Sequence, residues 1–246
     1  MRSVCRQLIP RPPWARRLER AEAALRPAGD TGRLTMQAVR RAFAAGRPPA
    51  PEAVTPRAAV VCVLSAPPAG GGVAPVSLLL IRRATGLRAN PGEIAFPGGF
   101  IEPGESPLDA ALREAGEEVG LSPSDLEVLG ELPMVLTGGR AVPVLPFVAA
   151  ASGPLRLTPN DDEVDAVMQV SLAALAAPGC YWAEEWDREG EGPGLMHFFD
   201  LGEDVIWGAT ARMIDLLFAR LFSPGSGGRR DEPPAGRTPP ASRPTR

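Results

Sequence analysis

The stretch SPLDAALREAGEEVGL (106–121) constrains the fold most, because it carries the signals for both ends of a helix. Ser106 is a good N-cap, Pro107 suits the first helical position, and Asp109 can close a capping box. Gly120 suits the left-handed residue just past a helix end, with Leu121 following it. These signals predict a helix from Pro107 to Val119. Leu108, Ala111, Leu112, Ala115 and Val119 follow the i, i+3/i+4 rhythm and form its apolar face. Glu114 and Glu118 lie four apart on a second face, with Glu117 beside them. Like charges at that spacing repel, and Gly116 weakens a helix by about 1 kcal/mol relative to alanine. Two readings fit the helix alone. It is a solvated charged face, or its carboxylates gather around a hard divalent cation that removes the repulsion. Arg113 is next to Glu114 and could position a carboxylate of the cluster.

The flanking segments alternate between strand and helix patterns. Residues 34–45 read as a helix that stops at Gly46 and the prolines after it. Residues 58–66 and 75–84 are apolar runs joined by a Gly/Pro loop, which predicts an antiparallel hairpin. Residues 92–102 read as strand, turn, strand. Beyond the acidic helix, 126–136 and 141–150 read as strands joined by the TGGR turn. Residues 164–175 read as a strand entering a short helix, 194–201 as a strand, and 209–222 as a closing amphipathic helix. Trp207 and Gly208 are read as the start of that last helix. Short mixed strands with helices predict one α+β domain over residues 33–222. Residues 1–32 read as an Arg-rich disordered extension and 223–246 as a disordered Pro/Arg/Gly-rich tail.

Charge narrows the function. Residues 1–57 carry 12 arginines against 4 acids, whereas residues 58–222 carry 9 against 23. An acidic core repels a phosphate backbone, so no nucleic-acid partner is expected. It can host a divalent cation, which reverses the local charge. All 26 basic residues are arginine, a compositional bias with no function read into it. Cys5, Cys62 and Cys180 form no CxxC pair, which fits a reducing compartment without structural disulfides or a zinc site. No apolar run reaches the ~18 residues of a membrane span, so a cytoplasmic protein without a membrane partner is expected.

Upstream of the acidic helix, GGFIEPGE adds a glycine turn and Glu105. Gly99, five residues, Glu105, seven residues and then REAGEEVGL resemble the Nudix box, G-x5-E-x7-R-E-U-x-E-E-x-G-U, where U is a bulky aliphatic. Gly99, Glu105, Arg113, Glu114, Glu117, Glu118 and Gly120 fill every fixed position. Ala115 is smaller than the usual aliphatic. The resemblance implies a Nudix fold, a mixed β-sheet sandwiched between α-helices. It also implies attack of water on a diphosphate with Mg²⁺ or Mn²⁺. Glu114 and Glu118 would be the principal metal ligands, with Glu117 a further or water-mediated one. Gly98 and Gly99 could offer a backbone carbonyl, and Arg113 with Glu105 would hold loop and helix in register.

Residues 79–99, LLIRRATGLRANPGEIAFPGG, resemble the signature of Nudix CoA pyrophosphatases, LL-T-x-R-(S/A)-x3-R-x3-G-x3-FPGG. Leu79, Leu80, Arg83, Ala84, Arg88, Gly92 and Phe96 to Gly99 match; Ile81 stands where the pattern has Thr. The resemblance implies hydrolysis of coenzyme A or a derivative to 3′,5′-ADP and 4′-phosphopantetheine or its acyl form. Arg83 and Arg88 are suited to bidentate phosphate contacts. Glu114 and Glu163 are the candidate bases. His197, the only histidine, sits in an apolar strand and is read as structural; Phe96 is read as core. The partner is a small molecule, and the protein is expected as a monomer or homodimer. A Nudix enzyme for ADP-ribose, NADH or a nucleoside triphosphate is the first alternative. A catalytically silent nucleotide-binding Nudix module is the second.

Overall fold

The computed structural model describes residues 9, 16–18, 34–44, 46, 54–66, 75–137, 142–188 and 192–222. In chain order the elements are β1 (Arg16–Leu18), α1 (Met36–Ala44), β2 (Ala58–Ser65), β3 (Ser77–Arg83), β4 (Ile94–Ala95), β5 (Gly98–Phe100) and α2 (Pro107–Val119). Then follow β6 (Leu126–Glu131), β7 (Val135–Leu136), β8 (Pro143–Ala151), β9 (Val164–Ser171), α3 (Leu172–Leu175), β10 (Tyr181–Arg188), β11 (Gly192–Asp200), β12 (Val205–Trp207) and α4 (Gly208–Phe222).

The larger sheet has eight strands. Its spine runs β4-β3-β2-β8-β6, while β5 pairs β2, β7 pairs β8 and β9 pairs β3. β2 runs parallel to β8 and antiparallel to β3 and β5, so the sheet is mixed. Its two faces are both covered, which is why AAVVCVLS reads as a nearly continuous apolar run. Ala59, Val61 and Val63 pack with Ala111, Ala115 and Val119 of α2. Cys62 and Leu64 pack on the other side with Val39 and Phe43 of α1 and Ile214, Leu217 and Phe218 of α4. The expected α+β sandwich is therefore the observed one. Phe96 is buried in the second of these clusters, as expected of a core residue.

A second, four-stranded sheet has the order β1-β10-β11-β12. Three expectations change here. Arg16–Leu18, placed in a disordered extension by composition, form an edge strand on β10. β10 has no counterpart in the sequence reading. One of its faces alternates Trp182, Glu184 and Trp186, and the Trp182 and Trp186 indoles donate to the two oxygens of the buried Glu184 carboxylate at 2.9 and 2.8 Å. Trp207 ends a strand, and the helix begins at Gly208, whose φ of 64° suits the abrupt change of direction. Apart from Ile9, which packs against Trp186, Met196 and Phe198, the remaining residues of 1–32, the 67–74 loop, most of the TGGR turn and the 223–246 tail lie outside the described residues.

His197 is buried in β11. Its Nδ1 is 2.9 Å from the Tyr181 hydroxyl and 3.7 Å from Asp215 Oδ2. Asp215 is itself committed to Arg212 at 2.6 Å. Burial, and the nearby Arg212 charge, push the His197 pKa down to about 4. This is a neutral interior histidine, in keeping with its structural reading.

Candidate active site

Helix α2 forms over the predicted residues, with Ser106 as its N-cap and Gly120 in the left-handed position past its end. Ser106 Oγ accepts the Asp109 N–H at 3.2 Å and donates to Asp109 Oδ2 at 2.6 Å. Gly120 has φ 69°, and the Leu121 N–H reaches back to the Ala115 carbonyl at 3.3 Å. Ala110, Ala111, Ala115, Glu118 and Val119 are buried, while Leu108 and Leu112 are half-buried. The acidic face is thus not wholly solvated: Glu118 is only 2% exposed.

Two glycines bring the chain against this face. An added Cβ on Gly98 would lie 2.3 Å from the Ala59 carbonyl oxygen. One on Gly99 would lie 2.4 Å from both Cδ and Oε1 of Glu114. The Gly98 N–H donates to Glu118 Oε2 at 3.0 Å. Strand β5 can lie against the Glu114 carboxylate only because Gly99 lacks a side chain, and against β2 only because Gly98 does.

Arg113 ties the loop to the helix. Its Nε and Nη2 donate to the two oxygens of Glu105 at 2.9 and 3.2 Å. Nη2 also donates to the Phe100 carbonyl at 3.2 Å. Nη1 donates to Glu114 Oε1 at 3.1 Å and to Glu117 Oε2 at 3.3 Å. Glu105 also accepts the Glu102 N–H at 3.1 Å. The Arg113 hydrogen bonds, then that amide, hold the Glu105 carboxyl below its usual range.

The other side of the cluster is short of positive charge. Arg83 Nη1 is 3.6 Å from Glu118 Oε1, and its buried Nε has no hydrogen-bond partner. Burial pushes the Glu118 carboxyl up to about 7; the Gly98 amide and Arg83 oppose this, and Glu114 and Glu163 add to it. Burial also raises Glu114, against the pull of Arg113, with Glu117 and Glu163 adding repulsion. Glu163 therefore lies within electrostatic reach of both. Its segment is fixed locally: the Glu163 carbonyl accepts the Ala84 N–H at 2.8 Å, and Asn160 N–H donates to the Glu118 carbonyl at 2.9 Å.

The structure thus gathers Glu105, Arg113, Glu114, Glu117, Glu118, Gly98, Gly99 and Arg83, with Glu163 close enough to be felt. Arg88 does not join them; it is exposed on the turn between β3 and β4 and has no side-chain hydrogen bond or ion pair among the described residues. Sequence reasoning missed Glu93, which faces Arg83 across that turn. Just beyond the pairs Ile81 with Ala95 and Arg82 with Ile94, the Arg83 N–H donates to the Glu93 carbonyl at 2.9 Å, a neighbourhood a hairpin reading of 77–95 could have supplied.

The donor set fits a hard cation. Among the described residues no three carboxylate, His or Cys side chains close around one point as they stand. Mg²⁺ does not need this, since it uses one or two carboxylates and completes its octahedron with water and phosphate. The buried Glu118 and the Glu114 carboxylate against bare Gly99 are the two side chains that could serve as that pair.

A mixed sheet with an acidic helix laid over a two-glycine strand defines the Nudix class of phosphoanhydride hydrolases. Comparison with known proteins agrees. The NUDIX domain family matches residues 55–189. An uncharacterized Nudix hydrolase, NudL, of Pectobacterium atrosepticum is 34% identical over 148 residues, 59% of this chain and 75% of that protein. The NudL protein of Escherichia fergusonii is 36% identical over 152 residues, covering 58% and 74%. Among solved structures, a Nudix hydrolase from M. smegmatis, RenU, is 27% identical with a TM-score of 0.41, covering 49% of this chain and 73% of that one. The chain belongs to the NUDIX domain family: it is a Nudix hydrolase, acting on the phosphoric anhydride of a nucleoside diphosphate derivative.

Proposed function

We propose that this hydrolase cleaves the diphosphate of coenzyme A or one of its derivatives, with Mg²⁺ or Mn²⁺, giving 3′,5′-ADP and 4′-phosphopantetheine or its acyl form. The observation that carries the reading is the place of Arg83, the arginine of the LLIRRATGLR run, beside Glu118 at 3.6 Å. A guanidinium there can meet a phosphate bidentately just where the carboxylates hold a cation. Ile81, the departure from the CoA pyrophosphatase pattern, is fully buried in the α2-side core. The mismatch therefore falls on a packing position, which favours the same reading.

In this mechanism Glu114 and Glu118 are the oxygen ligands and Glu117 is an outer carboxylate. A divalent cation, when bound, neutralises the diphosphate and acidifies the attacking water. Glu163 or Glu114 takes the proton. Arg113 and Glu105 fix the helix against the glycine strand, and Arg83 orients the diphosphate. The working domain spans residues 33–222 and acts in the cytoplasm; among the described residues no helix is long and apolar enough to cross a membrane.

The test is a metal-supplemented hydrolysis panel of coenzyme A, acetyl-CoA, ADP-ribose, NADH and a nucleoside triphosphate, with products identified by mass. Coenzyme A or its thioester turning over fastest supports the reading. Faster cleavage of another member sinks the substrate assignment. Glu114→Gln and Glu118→Gln are expected to lose nearly all turnover with the fold intact, and near wild-type rates in both would refute the ligand assignment.

A further inference from the structure

Arg83 stands between two carboxylates but has a close pair with only one. Its guanidinium leans to Glu118 at 3.6 Å, with Nε buried and unpartnered. Glu93 sits one residue before β4 and faces Arg83 through a glycine bulge just beyond the last ladder pair, Arg82 with Ile94: the Arg83 N–H donates to the Glu93 carbonyl at 2.9 Å, and the Gly92 N–H donates to the Arg83 carbonyl at 3.1 Å. Alternation along the two strands puts both residues on the face shared by Ile81 and Ala95, the α2 side. The half-buried Glu93 carboxyl feels the Arg83 charge, and its pKa is raised by burial against that pull.

A cation that claims Glu118 must compete with Arg83 for it. The two positive charges cannot both stay there, and Arg83 is anchored by its strand, so it needs a second acceptor within side-chain reach. Resting on the metal-dependent reading above, we propose that Glu93 is a positioning residue that receives the Arg83 guanidinium when a divalent cation takes Glu118. The exchange keeps Arg83 beside the site, turned towards the diphosphate, and frees Glu118. It also accounts for a carboxylate half-buried opposite an arginine with which it makes no close ion pair.

The test is Mn²⁺ binding to the substrate-free full-length protein by calorimetry. Wild type is compared with Glu93→Gln, Glu93→Asp, Arg83→Gln and the Arg83→Gln/Glu93→Gln pair, with folding checked by thermal melts. Glu93→Gln should weaken Mn²⁺ binding by about 5- to 10-fold, the scale of one partly buried charge pair. Glu93→Asp should lose less. In the Arg83→Gln background the Glu93→Gln effect should vanish, a result that a merely structural role would not give. Wild-type affinity in a folded Glu93→Gln protein, or an equal loss in the Arg83→Gln background, overturns the proposal while leaving the metal reading intact. Absence of Mn²⁺ binding to the wild type overturns both.

Discussion

Gly99→Ala tests the active-site geometry with a single methyl group. The new Cβ would sit 2.4 Å from Cδ and Oε1 of Glu114 and 2.7 Å from Oε2. Carbon contacts are comfortable only from about 3.5 Å, so the carboxylate must withdraw by roughly 1 Å. It can do so, because the obstacle is the far end of a side chain and not backbone. Arg113 Nη1, bonded to Glu114 Oε1 at 3.1 Å, must follow or release it. A misplacement of about 1 Å in a reacting assembly costs on the order of 10²-fold in rate, or roughly 2.7 kcal/mol of barrier. The expectation is a kcat about 100-fold lower in steady-state hydrolysis with Mn²⁺, weaker Mn²⁺ binding by calorimetry, and a melting temperature close to wild type. Gly98→Ala is the contrast. Its Cβ would meet backbone, 2.3 Å from the Ala59 carbonyl oxygen, at a φ of 147°. That variant should lose stability first. A folded Gly99→Ala protein with kcat within threefold of wild type would refute the claim that Gly99 makes room for a working Glu114.

Three further outcomes are expected. Gly116→Ala should raise stability by about 0.5–1 kcal/mol in urea titration without changing turnover, since the new Cβ finds only the Leu121 carbonyl oxygen at 3.4 Å and the helix gains alanine propensity. The His197 contribution to stability should fall as the pH drops from about 6.5 towards 4, a range over which the raised Glu118 carboxyl acts in the opposite sense. Across that window the unfolded chain protonates His197 and the folded one, with its pKa near 4, does not. The loss is about 3 kcal/mol and should be largely absent in a folded His197→Gln variant followed by denaturant titration at several pH values. Arg113→Gln should lower kcat at least about tenfold while KM changes little, because its contacts run to Glu105, Glu114, Glu117 and the Phe100 carbonyl and none is needed to recognise substrate.

The acidic helix was legible to the residue because its information is local. N-cap, proline, capping box and terminal glycine lie within sixteen positions, and each acts on its own turn. The fixed glycines and acids were legible for a related reason: they follow one another along a strand, a loop and that helix. What stayed hidden depends on distant pairing. Glu118 is marked as a ligand by its place in the motif, but its burial appears only when β5 and residues 158–160 close over the end of the helix, with Thr158 N–H on the Val119 carbonyl at 2.8 Å. Glu93 gains meaning only once the β3–β4 register sets it against Arg83. β10 was missed because both of its faces carry large side chains and acids, so the two-residue alternation is not one of apolar with polar. β1 was missed because an Arg-Arg-Leu edge strand has no signal beyond its partner.

Ala115, the one small residue where the Nudix pattern has a bulky aliphatic, connects the packing to the chemistry. It is fully buried, as are Ala110 and Ala111 before it on the same helix, and the sheet beneath offers Ala59 and Ala149 among its larger residues. Small residues on facing surfaces let a helix lie close to a sheet. Closeness is what puts Glu114 against Gly99 and lets the Gly98 amide reach Glu118. A larger side chain at Ala115 would need room that a filled interior does not have, and overpacking of this kind typically costs about 1–3 kcal/mol. If the helix moved outward to relieve it, the carboxylates would move with it. In this chain the alanine is therefore part of how the site is held, and the glycine strand and the alanine face are two sides of one close contact.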